Sequence, residues 1–453
     1  MSVMAGMRQL WEEDASRDEE DQERLAVPTV VDDLPLRRPL VDGELFIIRN
    51  CESRYLTHVI HKYAGKFIPH IPRWALHRYL PRKASALVLD PFVGSGTTLL
   101  EAYLYGQHGY GVDVDPLARL ITKVKTTAIP EDRLATLHHE VMQALDQTPE
   151  GAYRPGISTL AHWFAPQAVA ELSAIYDVVE RFRDEPDVYD FLLVCFSAII
   201  RRASNADNQT MKTYVSHTNP KKLEPALPLF TRTLSTYIDR LIKFGRLVPV
   251  EGRATVFPVD DAQTLDEAWR AQALPLVDLA ITSPPYIKSV DYIYNQMVEL
   301  FWIGDRWGLE DQTKQNVFKE RYIGHDRVTS REAAALRTTG VEDIDAYIAQ
   351  IHMRNQPLGL VTWRYFDAMG AHLASMGRLL RPGAHYVIVV GDSTLAGVAV
   401  PTHDLIVSCA VRHGFATSAR FAYEIRNKYM HFPRGGRGGG VEHDWVIDLV
   451  FAG

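Results

Sequence analysis

Two rhythms of apolar residues alternate along this chain. Ala86-Leu-Val-Leu-Asp90 is a short unbroken apolar run that ends at a glycine-rich turn, the pattern of a strand buried on both faces. Thr97 to about Tyr105 then fits a helix, and Tyr110-Gly-Val-Asp-Val-Asp115 fits a second strand, with another helix opening after Pro116. Strand, turn, helix, strand is the signature of a parallel α/β sheet.

From about 130 to 250 the spacing becomes helical, as in Ala168–Phe182 and Tyr189–Arg202, with few strand signals. The sheet rhythm returns at Ala254-Thr-Val-Phe-Pro-Val259 and Val277-Asp-Leu-Ala-Ile281, and a polar, helical stretch fills about 290–360. The remainder predicts a helix near Tyr365–Leu380, a turn at Arg381-Pro-Gly383 and a strand at His385–Val390. A helix over 402–412, a strand over 415–425, the glycine run Gly435–Gly440 and a last strand, Trp445–Phe451, complete it. Residues 1–40 are polar, acidic and weakly periodic, which predicts a flexible arm.

Composition narrows the class. At 453 residues, 46% hydrophobic and 23% charged, the chain can bury a full core. No apolar run is long enough to span a bilayer, and the charged N-terminus lacks a signal core, so a cytoplasmic location is expected. Cys51, Cys195 and Cys409 are too scattered for a zinc site or disulfide framework, and no metal is expected. The net charge of −7 argues against a nucleic-acid partner until its placement is considered. Acids crowd Glu12–Glu23, whereas Arg54, Lys62, Lys66, Arg73, Arg78, Arg82 and Lys83 run without an intervening acid. Arg201, Arg202, Lys212, Lys221 and Lys222 form a second basic cluster, and Arg426, Lys428, Arg434 and Arg437 a third. Solvated surface is the bland reading of each; a phosphate-contacting face is the other.

Two motifs carry chemistry. Asp90-Pro-Phe-Val-Gly-Ser-Gly-Thr-Thr98 joins a strand to a helix; Gly94 and Gly96 permit a tight turn and a close ligand, and the helix start offers free N–H groups to a carboxylate. The third glycine of a dinucleotide fingerprint and the Gly-Lys-Ser/Thr of a phosphate loop are missing. Asp113, about twenty residues on, is placed to accept from ribose hydroxyls, with Asp115 as a substitute or merely a helix cap. The second motif, Thr282-Ser-Pro-Pro-Tyr286, ends a buried strand, since proline cannot donate to the ladder. Ser283 and the Pro284 carbonyl can accept from an amine, and Tyr286 offers a ring for stacking a flipped base. An exocyclic amine has its lone pair delocalised; holding both N–H groups in tetrahedral directions restores it, so the chemistry is mainly orientation and electrostatics. Cytosine C5 chemistry needs a Pro-Cys nucleophile, and none of the three cysteines supplies one.

Together these motifs resemble the amino-group DNA methyltransferases that use S-adenosylmethionine, and Ser283-Pro284-Pro285-Tyr286 resembles the cytosine-N4 version; adenine-N6 enzymes usually show Asp or Asn at the first position. His61-Lys-Tyr-Ala-Gly-Lys-Phe-Ile-Pro69 is similar to the family's motif that closes over the cofactor, which implies that Lys66 and Phe67 lie near its methionine end. Val259-Asp-Asp-Ala262 is similar to the adenine-facing segment, implying that role for Asp261, with Asp260 as its competitor. Asp90, Phe92, Gly94, Gly96, Thr97 and Asp113 take cofactor roles in the same way.

The resemblance implies an α/β, doubly wound, mostly parallel seven-stranded Rossmann-like sheet with helical insertions. Residues 41–126 and 251–453 would form the catalytic domain, 127–250 a helical insertion and candidate DNA-recognition region, and 287–360 a second insertion. The implied partner is double-stranded DNA in the nucleoid, with any cognate restriction endonuclease a separate chain. Arg202, Lys212, Lys221, Lys222 and Lys288 are the candidate DNA contacts, and both insertions are open as the part that reads sequence. Adenine N6, an RNA amine and a non-catalytic cofactor-binding regulator are the competing functions.

Overall fold

Leu87 and Leu89 point into one hydrophobic core and Val88 into another, the two-residue alternation of a strand covered on both faces. The computed structural model describes residues 28–49, 51–80, 85–208, 212–216, 218, 220–249, 252–258, 261–288, 291–424 and 443–453. Its main sheet has nine strands: β1 (Thr29–Val31), β2 (Glu44–Ile48), β3 (Leu87–Asp90), β4 (His108–Gly111), β5 (Arg253–Val256), β6 (Val277–Thr282), β7 (Leu380–Val390), and, after the hairpin β8 (Ser393–Leu395) and β9 (Val398–Val400), β10 (Phe415–Glu424) and β11 (His443–Phe451). The spatial order is β1-β2-β10-β11-β7-β6-β3-β4-β5, and every neighbouring pair is parallel except the two made by β11. Seven strands, β10 to β5, form the doubly wound sheet that the sequence leads one to expect. β1 and β2 extend its edge, so residues from 28 onward depart from the expectation of a loose arm.

The Arg381-Pro-Gly383 run, expected as a turn, lies within β7. There the register against β6 shifts between Val277 and Leu279, and Gly383 adopts a φ of +80°, so the turn signal marks a bulge.

The two stretches expected as separate insertions share a core. Helices Pro166–Glu180, Pro186–Ala203 and Ala226–Gly245 bury a common cluster with Met297, Val298, Phe301, Trp302 and Ile303. Trp302 meets Phe164 and Phe196 edge-on at 5.7 and 5.8 Å. Arg306 carries the junction outward, donating to the Tyr189 and Tyr176 hydroxyls and to Glu180. The later part of the second stretch goes elsewhere: helix Glu342–Arg354 packs on helix Gln356–Leu379 against the sheet. Residues 1–27, Arg82, Lys83, Asp260 and the segment 425–442, with the third basic cluster and the glycine run, lie outside the described residues.

Candidate active site

From β3 the chain runs outward to β4 and β5; later it returns to β6, on the other side of β3, and continues to β7. That reversal opens a crevice beyond the carboxyl ends of β3 and β6, the place where open α/β sheets bind ligands. The glycine loop leaves β3 there and the Ser-Pro-Pro-Tyr loop leaves β6 there. Between them is a cavity whose empty space, counted out into the solvent at its open mouth, is about 760 Å3. Phe92, Gly94, Thr97, Asp113, Asp261, Lys66, Phe67, Ser283 and Pro285 all line it.

The glycine loop is held from several sides. Gly94 and Gly96 have φ of +49° and +83°, and a Cβ on Gly96 would stand 2.9 Å from the Thr122 side chain. The Thr122 hydroxyl donates to the Gly94 carbonyl at 2.9 Å, and the buried Lys125 ammonium to the Ser95 carbonyl at 2.9 Å. Helix Thr97–Leu104 starts at Gly96 with no side-chain cap, leaving its first N–H groups for an anion.

Asp113 accepts from the Gly94 N–H at 2.8 Å and from the Asp115 N–H at 2.9 Å, one on each oxygen. A second lone pair on each oxygen remains for a ligand hydroxyl. Burial, then the neighbouring Asp115 charge, push its carboxyl up to about 7. Asp115 itself caps helix Pro116–Thr126 by accepting from the Leu117 and Ala118 N–H groups, and it also receives the Gln296 amide at 2.8 Å. Of the two acids the sequence left open, Asp115 is thus the cap and Asp113 the one at the cavity. Asp261 accepts from the Gln263 N–H at 2.9 Å, which shapes the turn on the cavity wall. Below that turn the buried His372 bridges the Ala262 carbonyl at 2.9 Å and the Tyr386 hydroxyl at 2.7 Å.

The upstream motif closes another side. Phe67 is buried, and the Lys66 ammonium donates to the His58 carbonyl at 3.2 Å, with its pKa lowered by burial and by Arg54. Tyr63, Tyr292 and Tyr322 form a stacked series beside them, with centroids 5.7 and 6.1 Å apart, and all three line the cavity. Sequence reasoning missed Tyr63 and Tyr322. Tyr63 sits inside the His61–Pro69 motif, which was the available signal; Tyr322, Arg321 and Ile323 reach the wall only through the fold of the second insertion.

On the chemistry side, the Thr282 hydroxyl donates to Asp90 at 2.5 Å, which ties the end of β6 to the end of β3. Asp90 is buried behind the wall and also receives the Phe92 N–H; burial pushes its carboxyl up to about 6, and its second oxygen has no partner among the described residues. Asp90 therefore braces the two loops and does not line the cavity. Ser283 and Pro285 face the cavity; Pro284 is buried. Tyr286 is placed differently from expectation. Its half-buried ring packs against the core on one face of the sheet, its hydroxyl donates to Asp444 at 2.6 Å, and it is not among the cavity-lining residues. Lys288 is exposed just beyond, with a φ of +53°.

The second basic cluster is largely engaged internally, and of the candidate DNA contacts Lys221 is corrected, because backbone carbonyls hold its ammonium. The Lys221 ammonium donates to the Arg201 and Ala206 carbonyls at 2.7 and 2.8 Å, and burial, then Arg201, lower its pKa to about 8. Arg202 forks onto Glu224 at 2.8 and 2.9 Å. Lys212 and Lys222 are exposed.

No family model matches the chain. It is 24% identical over 409 residues to the type II methyltransferase M.MvaI of Kocuria varians, a match covering 84% of this chain and 87% of that protein. A 94-residue stretch, 21% of this chain and 17% of the relative, is 34% identical to the type II methyltransferase M.MjaII of Methanocaldococcus jannaschii. Among solved structures, the rRNA methyltransferase aviRa of Streptomyces viridochromogenes aligns over 87% of this chain and 90% of that one at 11% identity, but with a TM-score of 0.28 the superposition carries no argument. The similarity to a type II methyltransferase thus extends along most of the chain, and the methyl donor is S-adenosylmethionine. The cavity suits that cofactor: Gly94 lines it without a Cβ, uncapped helix N–H groups suit the cofactor's carboxylate, and Asp113 suits its ribose, while Gly96 makes room for Thr122 and does not line the cavity.

Proposed function

We propose that the chain is a site-specific DNA methyltransferase acting on the N4 amine of a cytosine flipped out of duplex DNA. One observation carries this reading: Ser283, at the head of Ser-Pro-Pro-Tyr, lines the same cavity as Gly94 and Asp113. S-adenosylmethionine supplies a methyl group activated on a sulfonium. The protein supplies alignment. Asp113, Asp261 and the glycine loop fix the cofactor end of the cavity, and Lys66 and Phe67 close it. Ser283 and the Pro284 carbonyl accept the two amine N–H bonds and turn the nitrogen lone pair towards the methyl. Once the nitrogen carries the methyl group, its surplus proton passes to solvent, because a serine hydroxyl and an amide carbonyl accept hydrogen bonds but are too weakly basic to keep a proton.

The test of substrate and atom is mass spectrometry of nucleosides from DNA treated with the protein and labelled cofactor. Label in N4-methylcytosine is the expected result. Label only in N6-methyladenine would move the target base while keeping amine chemistry, label confined to RNA would sink the DNA assignment, and label in 5-methylcytosine would contradict the reading of the loop.

The joint helical lobe, built from 127–250 and the helix Met297–Ile303, is the proposed DNA-recognition part, with Lys212, Lys222 and Lys288 as phosphate contacts. Replacing Lys212 and Lys222 by Ala should weaken DNA binding and reduce the slope of log affinity against log salt by about 2, roughly 0.9 per phosphate contact. Measured by fluorescence anisotropy at several salt concentrations, an unchanged slope would place the DNA face elsewhere. A cognate restriction endonuclease, as a separate chain, belongs to the same proposal.

A further inference from the structure

We propose that the Tyr322 hydroxyl donates a hydrogen bond to the ring nitrogen next to the target amine, an inference that rests on the amine-methylation reading above. Two of the described residues that line the cavity carry a buried hydroxyl without a hydrogen-bond partner, Ser95 and Tyr322. A buried polar group left unpaired is costly, so each points to a ligand group. Ser95 belongs to the glycine loop, at the cofactor end. Tyr322 comes from the second insertion, and its neighbours Arg321 and Ile323 line the same cavity. Its ring is held in place: it stacks on Tyr292 at 6.1 Å and meets Phe318 edge-on at 6.1 Å. Tyr292 in turn stacks on Tyr63, and a Cβ on Gly94 would stand 3.3 Å from the Tyr63 ring. The series therefore starts against the glycine loop and reaches Tyr322 two rings further on.

Gly94, Asp113, Asp261 and Lys66 take the cofactor end, which leaves Tyr322 on the wall with Ser283 and Pro285 for the second ligand. Tyr286 does not line the cavity and its hydroxyl is bound to Asp444, so the base has to be held from elsewhere. A flipped base is read along its Watson–Crick edge. On that edge the amine of cytosine stands beside N3, and the amine of adenine beside N1; both ring nitrogens carry a lone pair and no proton. Ser283 and the Pro284 carbonyl accept from the amine, so the next atom along the edge needs a donor. A phenol has one proton to give, and that of Tyr322 is committed to no group among the described residues. Two acceptors on the amine and one donor on the neighbouring nitrogen fix the base in its own plane, which aims the amine nitrogen at the methyl group. The contact is to an atom that both amine-bearing bases share, so it serves either target.

The experiment uses the full-length protein, labelled S-adenosylmethionine and a duplex carrying the site that wild-type protein labels. No label in any DNA amine sinks the amine-methylation reading and this inference with it. Given label in cytosine, Tyr322→Phe, which keeps the ring, should lower kcat/KM on the order of tenfold to a hundredfold. The target cytosine is then replaced by 3-deazacytosine, in which a C–H stands in place of N3. On that duplex the two proteins should agree within about twofold, since the partner of the hydroxyl is already gone. If the label falls in adenine, 1-deazaadenine serves in the same way. Cofactor affinity by calorimetry should stay within about twofold. The melting temperature of unliganded Tyr322→Phe should be no lower than that of the wild type, because the hydroxyl has no partner among the described residues to lose. Wild-type kcat/KM in Tyr322→Phe, an equal loss on both duplexes, or a destabilised unliganded protein would each overturn the contact. Cofactor binding weakened tenfold would overturn it too, and would assign the hydroxyl to the cofactor.

Discussion

Asp113→Ala is expected to weaken S-adenosylmethionine binding by about a hundredfold to ten-thousandfold. Two charge-assisted hydrogen bonds to ribose hydroxyls, each worth roughly 1.5–3 kcal/mol, would be lost. The change also strips the acceptor from the Gly94 and Asp115 N–H groups, so the glycine loop loses its brace at the same time. Asp113→Asn, which keeps one acceptor, should fall between the two. The carboxyl is pushed up to about 7, first by burial and then by the Asp115 charge. Only the ionised form accepts on both oxygens, so the sign is fixed: affinity should be weak below about pH 7, strengthen as the pH rises through that value, and level off above it, by up to about tenfold per unit on the steep limb. Calorimetric titration across that range checks both parts. Unchanged affinity in a folded Asp113→Ala protein defeats the assignment, and an Asp113→Asn protein as pH-dependent as the wild type defeats the titration.

What could be taken from the sequence divides along a physical line. Buried parallel strands announce themselves because both faces must be apolar: Leu87–Asp90 and Val277–Thr282 lie within a residue or two of expectation, and the loops that leave them meet at one cavity. Glycine at φ +49° and +83° is legible for a similar reason, since few other residues take that backbone. Side-chain partnership is not legible. Asp113 and Asp115, two positions apart, differ locally only in that Asp115 precedes Pro116, which left its role open between a helix cap and a substitute for Asp113; in the fold it caps the helix start. Lys221 and Lys222 are likewise neighbours, yet one ammonium is folded onto two carbonyls and the other is exposed.

Tertiary pairing over long separations is hidden for the same reason. Helical periodicity shows that 127–250 and 297–303 each have an apolar face, but not that the two faces bury one another. Tyr286 could be named from its motif, whereas its bond to Asp444 spans 158 residues and depends on β11 running antiparallel beside β7. The edge strand β1 was obscured by its polar setting, since an edge strand with one covered face carries only half the apolar signal of a central one.

Ser283→Ala should separate chemistry from binding more cleanly than any other change. The hydroxyl lies at the cavity wall beyond β6, while Asp113, Asp261 and the glycine loop hold the cofactor through other contacts. Cofactor affinity should therefore stay within about twofold, and kcat should fall on the order of a hundredfold to a thousandfold, the range seen when one preorganised polar group at a reacting centre is removed. The loss arises in the transition state. In the ground state the amine is planar and loses one hydrogen bond; on the way to methyl transfer its nitrogen becomes tetrahedral, and the missing acceptor leaves one N–H without its fixed partner. kcat and kcat/KM should then fall together, since an interaction made mainly in the transition state has gone. Single-turnover transfer from labelled cofactor measures this directly. A Ser283→Ala protein that transfers methyl groups at the wild-type rate would remove the serine from the mechanism and leave the Pro284 carbonyl as the acceptor to be tested.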